Sequence, residues 1–187
     1  SAKLLGGGAG DITEVPDSEI RVYIAPTNYA GQGYLWAREL ERASNRVQAR
    51  NSAIKLPGDW GFKSDATVPI ATVNGSASWG DAEWQAARQF THVLVEAERP
   101  MFGKKFGRDV EAEVLALESE GLSVAFLCHG IDVRSPELNA KLTPWSPYPE
   151  DPRTEILQSD VHKNLALLQR LNRPTFVSTP DLLLDVP

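Results

Sequence analysis

The chain has 187 residues, enough for one α/β domain with its own buried core. Its 19 basic and 25 acidic residues give a net charge of −6, which argues against a general surface for nucleic acid or an anionic membrane. The single cysteine, Cys128, excludes an intramolecular disulfide and a multi-cysteine metal site, and it favours a reducing, cytoplasmic location.

The first residues are predicted to lie outside the folded domain. Residues 1–18 begin with a glycine-rich stretch and are predicted to form a flexible leader, so that the domain occupies residues 19–187. No apolar run approaches the roughly 20 residues needed to cross a bilayer, so no transmembrane segment is expected.

The chain opens with a strand, a glycine turn and a helix in direct succession. Residues 20–25 form a short apolar run typical of a buried parallel strand, and a helix is predicted to end near Ala43. Between them lie Gly31, Gln32 and Gly33, whose turn would direct backbone N–H groups towards a phosphate at the helix N-terminus. The alternative is that the glycines only form the turn, because the third glycine of a dinucleotide fingerprint is missing and no P-loop motif occurs.

The remaining pattern alternates strands and helices. Strands are predicted at 51–56, 68–73, 91–97, 123–128 and 175–178, and helices at 81–90, 110–120 and 157–172. The 68–73 strand contains a proline and is expected at an edge or at a strand start, residues 74–78 are expected to be a loop, and the proline-rich stretch 141–153 should be neither helix nor central strand. This order predicts a Rossmann-like three-layer α/β/α sandwich with a mostly parallel sheet of five to six or more strands.

Four short motifs resemble the N-terminal half of GT-B-type glycosyltransferases, in particular the retaining, nucleotide-sugar-dependent enzymes that modify glycans and small acceptors in bacteria. They are APTNYAGQGY at 25–34, EAERPMFG at 96–103, CHGIDVR at 128–134 and RPTFVSTPDLL at 173–183. The resemblance covers residues 19–187 and implies that this domain binds a glycan or small-molecule acceptor. A C-terminal domain of the same protein, with no counterpart in this sequence, would then bind the nucleotide-sugar donor, so the present chain alone is expected to be inactive.

The resemblance also implies roles for individual residues. The turn from Gly31 to Gly33 matches the glycine loop that lies against the donor phosphates, and His129 and Asp132 match polar residues that point at the reacting sugar. The nucleotide sugar would be a co-substrate, and no cofactor is implied.

General chemistry leaves several roles open. His129 could bond a sugar hydroxyl or share a proton with Asp132 or Glu98, or it could be a loop histidine bonded to the backbone. Asp132 could equally cap a turn. Glu96 and Glu98 could form a functional acid pair with Arg99 as ion-pair partner, or they could be solvated on one side of an extended chain. A second basic group could hold an acceptor phosphate or carboxylate, or it could be a solvated face: Lys104, Lys105 and Arg108.

The sequence gives no indication of a metal site. The three histidines lack the spacing of a metal site. The main alternative function is a stand-alone Rossmann-like module that binds a nucleotide or phosphorylated metabolite without catalysis. An NAD-dependent oxidoreductase ranks third, because only Asp59, after a proline turn, could serve as the acidic residue that holds the ribose.

Overall fold

The computed structural model describes residues 10–187 and has one six-stranded, all-parallel sheet flanked by helices. The predicted fold class is therefore confirmed. By its internal contacts the chain divides into two compact units. The first unit extends to Val95 and includes Arg99–Val124, and the second comprises Glu96–Glu98 and Ala125–Pro187.

The strands and helices follow one another in chain order. The strands are β1 Ile20–Ala25, β2 Val47–Lys55, β3 Ala66–Pro69, β4 His92–Glu96, β5 Ser123–Cys128 and β6 Thr175–Val177. The α-helices are α1 Gln32–Ala43, α2 Ile70–Gly75, α3 Ala77–Ala87, α4 Val110–Ser119, α5 Pro136–Leu142 and α6 Thr154–Leu171. Short 3₁₀ turns occupy Tyr29–Gly31, Tyr148–Glu150 and Pro180–Leu184.

The strands lie in the order β3-β2-β1-β4-β5-β6, so the direction in which successive strands are added to the sheet changes beside β1. The chain proceeds from β1 outwards through β2 to β3, and then returns to the other side of β1 with β4. Ile24 pairs with Asn51 of β2 on one side and with Leu94 of β4 on the other. In open α/β sheets, ligands bind outside the carboxyl ends of the strands at such a reversal.

An aromatic cluster fills the core of the first unit around Tyr23 of β1. Its ring lies 5.4 Å from Phe90 and 6.3 Å from Phe102, measured between ring centroids. Trp84 of α3 meets Phe102 edge to face at 5.3 Å and Phe106 at 5.0 Å. β1 is covered on both faces, and a strand in this position therefore needs apolar residues without alternation of apolar and polar side chains.

A buried carboxylate ties the segment before β1 to this core. Glu83 accepts hydrogen bonds from the Thr13 backbone N–H at 2.9 Å, the Thr13 hydroxyl at 2.6 Å, the Tyr23 hydroxyl at 2.7 Å and the Ser52 hydroxyl at 3.2 Å. Burial, and then the charge of Glu83, raises the pKa of Tyr23, so its phenol stays a donor. Of the expected leader, residues 1–9 lie outside the described residues, whereas Thr13 is buried in this network.

Two predictions between β2 and α3 are wrong. The chain leaves the predicted 68–73 strand at Pro69, which lacks the N–H of a ladder residue and precedes α2. The predicted loop at 74–78 contains the end of α2 and the start of α3, because the Ser76 hydroxyl caps α3 by accepting from the Trp79 N–H at 3.1 Å. The edge position expected for the proline-containing strand is confirmed, since β3 ends the sheet.

Two further boundaries differ from the predictions. β2 begins four residues earlier than predicted, because its ladder with β1 starts where Ile20 pairs with Val47. α5 was not predicted; Ser135 caps it by accepting from the Leu138 N–H at 3.2 Å, and Pro136 occupies its first turn.

Candidate functional site

The glycine turn after β1 is largely satisfied by its own hydrogen bonds. The Gly31 N–H donates to the Asn28 carbonyl at 3.1 Å, and the Gln32 N–H donates to the Tyr29 carbonyl. The Asn28 side chain accepts from the Tyr34 N–H at 3.1 Å. Gly31 has a φ of +78°, a left-handed value that favours glycine. Three of the four N–H groups from Gly31 to Tyr34 are thus already engaged, which leaves little of the expected phosphate cradle.

A cavity of about 270 Å³ lies in the first unit at the carboxyl ends of β1 and β2. Its walls come from segments 26–30, 53–56, 59–62, 70–74 and 99–108. The lining includes aromatic rings from Tyr29, Trp60 and Phe62 and the charged side chains of Lys55, Asp59, Arg99 and Arg108. Concave sites with an apolar wall and a few polar groups are typical of small-molecule binding.

The segment that carries Arg99 and Arg108 is fixed by α4. Glu113, fully buried in that helix, accepts from the Met101 N–H at 2.7 Å and from the Phe102 N–H at 3.1 Å. Burial raises the pKa of Glu113 to about 7, against the opposing effect of the two N–H donors. The next residue, Gly103, has a φ of +60°, and a Cβ there would lie 2.7 Å from the Val73 carbonyl oxygen. The segment is therefore held by specific backbone contacts.

A second polar cluster lies in the second unit and centres on His129. The His129 Nε2 atom lies 3.0 Å from an oxygen of Glu96, and the two side chains are 6% and 0% exposed. The partner of the His129 ring is therefore Glu96, and not Asp132 or Glu98 as the sequence predicts. A buried carboxylate bonded to imidazole orients the ring.

Asp132 organises the loop after β5. Its carboxylate accepts from the His129 N–H at 2.9 Å and from the Gly130 N–H at 2.5 Å. The Asn164 side chain donates to the Asp132 carbonyl at 2.8 Å. Asp132 therefore caps a turn, which is one of the two roles that the sequence leaves open for it.

Glu98 and Cys128 complete the second cluster. The Cys128 Sγ donates to Glu98 Oε1 at 3.2 Å, and Ala97 and Glu98 have left-handed φ values of +54° and +50°. Burial, and then the charge and hydrogen bond of Glu98, raises the pKa of Cys128, which keeps the thiol protonated and a poor nucleophile.

These residues could also be considered as metal ligands. Glu98, Cys128 and Asp132 offer ligand atoms within 4.8 Å of one another. A protonated thiol and a carboxylate already bonded to two backbone N–H groups fit a metal site poorly.

The predicted site residues thus fall into separate places. Arg99 lines the cavity of the first unit, whereas its neighbour Glu98 joins His129 and Asp132 in the second unit. Gly31 and Gly33 are both buried; Gly31 is the N-cap of α1, Gln32 is its first residue and Gly33 its second. Trp60 and Thr27 are not among the site residues that the sequence predicts; two aromatic residues in one short loop, Trp60 and Phe62, are the signal that could have indicated Trp60.

Comparison of the chain with protein-family models, curated proteins and solved structures gives no match. Across residues 10–187, none of the helices combines the length and the apolar character needed to cross a membrane.

Proposed function

We propose that this chain is the acceptor-binding domain of a nucleotide-sugar-dependent glycosyltransferase of the GT-B type. The observation that carries the proposal is the cavity at the carboxyl ends of β1 and β2, next to the strand at which the sheet order reverses. Its aromatic wall suits the apolar face of a sugar ring, and its polar groups suit hydroxyls. The order of the four sequence motifs supports the same assignment.

The proposed reaction transfers one sugar. The bond between its anomeric carbon and the diphosphate oxygen of the donor breaks, the acceptor oxygen forms the new bond, and the hydroxyl proton passes to a base. The donor would be bound by a further domain of the same protein. For His129 we assign a positioning role, because its Nε2 is engaged by Glu96 and its side chain is almost completely buried.

A second candidate is a module that binds a phosphorylated metabolite without catalysis. Arg99 and Arg108 favour it, because both line the cavity and neither makes a hydrogen bond or ion pair within residues 10–187. This candidate needs no donor domain.

The test is to assay the complete gene product with a panel of nucleotide sugars and acceptors, measuring the release of nucleoside diphosphate. We expect acceptor-dependent release from the complete protein and none from the 187-residue chain alone. Absence of release with every donor, together with retained binding of a phosphorylated metabolite, would favour the second candidate. Release by the 187-residue chain alone would contradict the assignment of donor binding to another domain.

Two exposed tryptophans provide a matched pair of variants for this assay. Trp60 lines the cavity and is 82% exposed, whereas Trp145 is 88% exposed and lies outside it. Trp60→Ala should raise the acceptor KM about five- to tenfold through the loss of ring stacking, worth roughly 1–1.4 kcal/mol. Trp145→Ala should leave the KM unchanged, and equal effects of the two changes would remove the cavity from the acceptor site.

A further inference from the structure

The cavity contains an excess of positive charge that the protein itself does not neutralise. Lys55, Arg99 and Arg108 line it against a single acid, Asp59. The Lys55 ammonium donates to the Phe62 carbonyl at 3.2 Å, and the Asp59 carboxylate accepts from the Leu56 N–H at 2.7 Å. The two guanidinium groups, both exposed, are without any such bond in the described part of the chain.

The other arginines of the first unit behave differently. All six donate hydrogen bonds to carboxylates or backbone carbonyls: Arg21, Arg38, Arg42, Arg46, Arg50 and Arg88. Surface arginines of this unit therefore find partners by default, and the two without partners are the two that line the cavity. A guanidinium presents a planar set of N–H donors that matches phosphate and carboxylate oxygens. An anionic ligand would therefore satisfy the unused donors of these two arginines.

A buried hydroxyl on the same wall also has no partner. Thr27 follows β1 by two residues, is 8% exposed and lines the cavity. Its Oγ1 is buried and makes no hydrogen bond among residues 10–187. Burying an unsatisfied hydroxyl is unfavourable, so a ligand oxygen at this wall would remove a cost that the unliganded protein carries.

The size of the cavity limits the ligand. At about 270 Å³ it lies just below the roughly 300 to 1,000 Å³ typical of sites for drug-sized molecules. A single ring with one charged group is compatible with this space, and a dinucleotide is too large. The exposed ring of Trp60 offers a face for stacking.

We propose that the cavity binds a monosaccharide-sized ring that carries a phosphate monoester, with Arg99 and Arg108 on the phosphate and Thr27 on a ligand oxygen. This inference rests on the proposed function, because it names the acceptor that the domain would take. Two guanidinium groups match the charge of a phosphate monoester, which is close to −2 at neutral pH.

The experiment measures binding directly and needs no donor. Glucose 6-phosphate, glucose 1-phosphate and fructose 6-phosphate are titrated into the 187-residue chain and followed by calorimetry and tryptophan fluorescence. Glucose, glucuronate and inorganic phosphate are the comparison ligands. We expect at least one sugar phosphate to bind at least tenfold more tightly than glucose and inorganic phosphate.

Variants test the assigned residues. Arg99→Gln and Arg108→Gly should each weaken binding about 10- to 100-fold, the range for one charge-assisted hydrogen bond. Arg108 has a φ of +61°, where glycine has no steric penalty, so Arg108→Gly should keep the folded structure. Arg42→Gln is the matched control, because Arg42 is an exposed arginine of α1 that pairs with Glu39 outside the cavity.

Thr27→Val separates the ligand role from a structural one. Removing a hydroxyl that has no partner should leave the melting temperature of the unliganded protein unchanged or higher, and it should weaken sugar-phosphate binding several-fold. A structural hydroxyl would instead lower the melting temperature when removed.

The outcomes distinguish this inference from the proposed function. No binding of any of the three sugar phosphates, or binding that Arg99→Gln and Arg108→Gly leave unchanged, would overturn the inference. If glucuronate binds more tightly than the sugar phosphates, the assignment of a phosphate group is wrong. If inorganic phosphate binds as tightly as the sugar phosphates, the assignment of a sugar ring is wrong. Arginine-dependent binding by a protein that transfers no sugar would sustain the site and reject glycosyl transfer. Transfer to uncharged acceptors that neither arginine change affects would sustain glycosyl transfer and reject the sugar-phosphate site.

Discussion

Protonation of Glu113 should make the stability of this protein depend on pH near neutrality. The side chain is fully buried in α4, and burial raises its pKa from 4.5 to about 7. The N–H groups of Met101 and Phe102 oppose this shift, since they stabilise the ionised form. The unfolded chain loses the proton near its ordinary pKa, whereas the folded protein keeps it up to about pH 7.

The sign and size of the effect follow from this difference. A pKa that is higher in the folded state contributes stability that is complete below pH 4.5 and is lost as the pH rises through about 7. The shift corresponds to a loss of about 3 kcal/mol in the free energy of unfolding. Single domains are stable by only about 5–15 kcal/mol, so the change is measurable.

The assay is urea unfolding at several values between pH 5 and 8, for the original chain and for Glu113→Gln. The glutamine oxygen can accept from one N–H while its amide nitrogen faces the other, so the variant should be less stable by about 1–3 kcal/mol at pH 5. The difference in the free energy of unfolding between the original chain and the variant should decrease as the pH rises. Glu155→Gln, which removes an exposed carboxylate of α6, reports the effect of the change in net charge alone. A gap that widens with pH would refute the reasoning, because it would mean that the two N–H donors outweigh burial.

Two other predictions concern packing and the buried pair. His129→Ala and Glu96→Gln should each destabilise the protein by about 1–3 kcal/mol, because the first removes a buried hydrogen bond and the second replaces its carboxylate by a neutral amide. In a double-mutant cycle followed by chemical unfolding, their coupling should reach at least about 0.5 kcal/mol; strictly additive effects would show that the pair contributes nothing. Gly80→Ala should lower the free energy of unfolding by about 1–3 kcal/mol, because its Cβ would lie 2.7 Å from the Phe102 carbonyl oxygen. Gly75→Ala, with nothing within 4 Å, should be neutral or stabilising by up to about 1 kcal/mol, and thermal melts that rank the two variants in the opposite order would contradict the contact at Gly80.

Local signals in the sequence determined much of the fold. β1 and β5 are mostly apolar runs that are followed by Pro26 and His129, and the sequence places both strands at their observed bounds. The capping of α4 by Asp109 was also predictable, because the carboxylate accepts from N–H groups only two and three residues away. Alternation of these elements was sufficient to predict a parallel sheet, since parallel strands require crossover connections.

Boundaries set by distant partners could not be read in this way. The first residues of β2, from Val47 to Arg50, alternate apolar and polar side chains, and they extend the strand because β1 supplies their ladder partners. Pro69 ends β3 and leaves Val73 to pack in a helix with Val68 and Trp79, a choice made by the contacts of that small cluster. In both cases tertiary contacts override local preference.

The candidate sites show the same division. The sequence singled out Arg99 and His129 by residue type and by their positions after predicted strands. Only the tertiary structure decided that the partner of His129 is Glu96 and that Arg99 shares a cavity with Arg108, Thr27 and Trp60. It also decided that the N–H groups of the glycine turn are mostly used by the turn itself. Convergence and burial depend on residues that are far apart in the chain, and a local pattern carries no information about which of them meet.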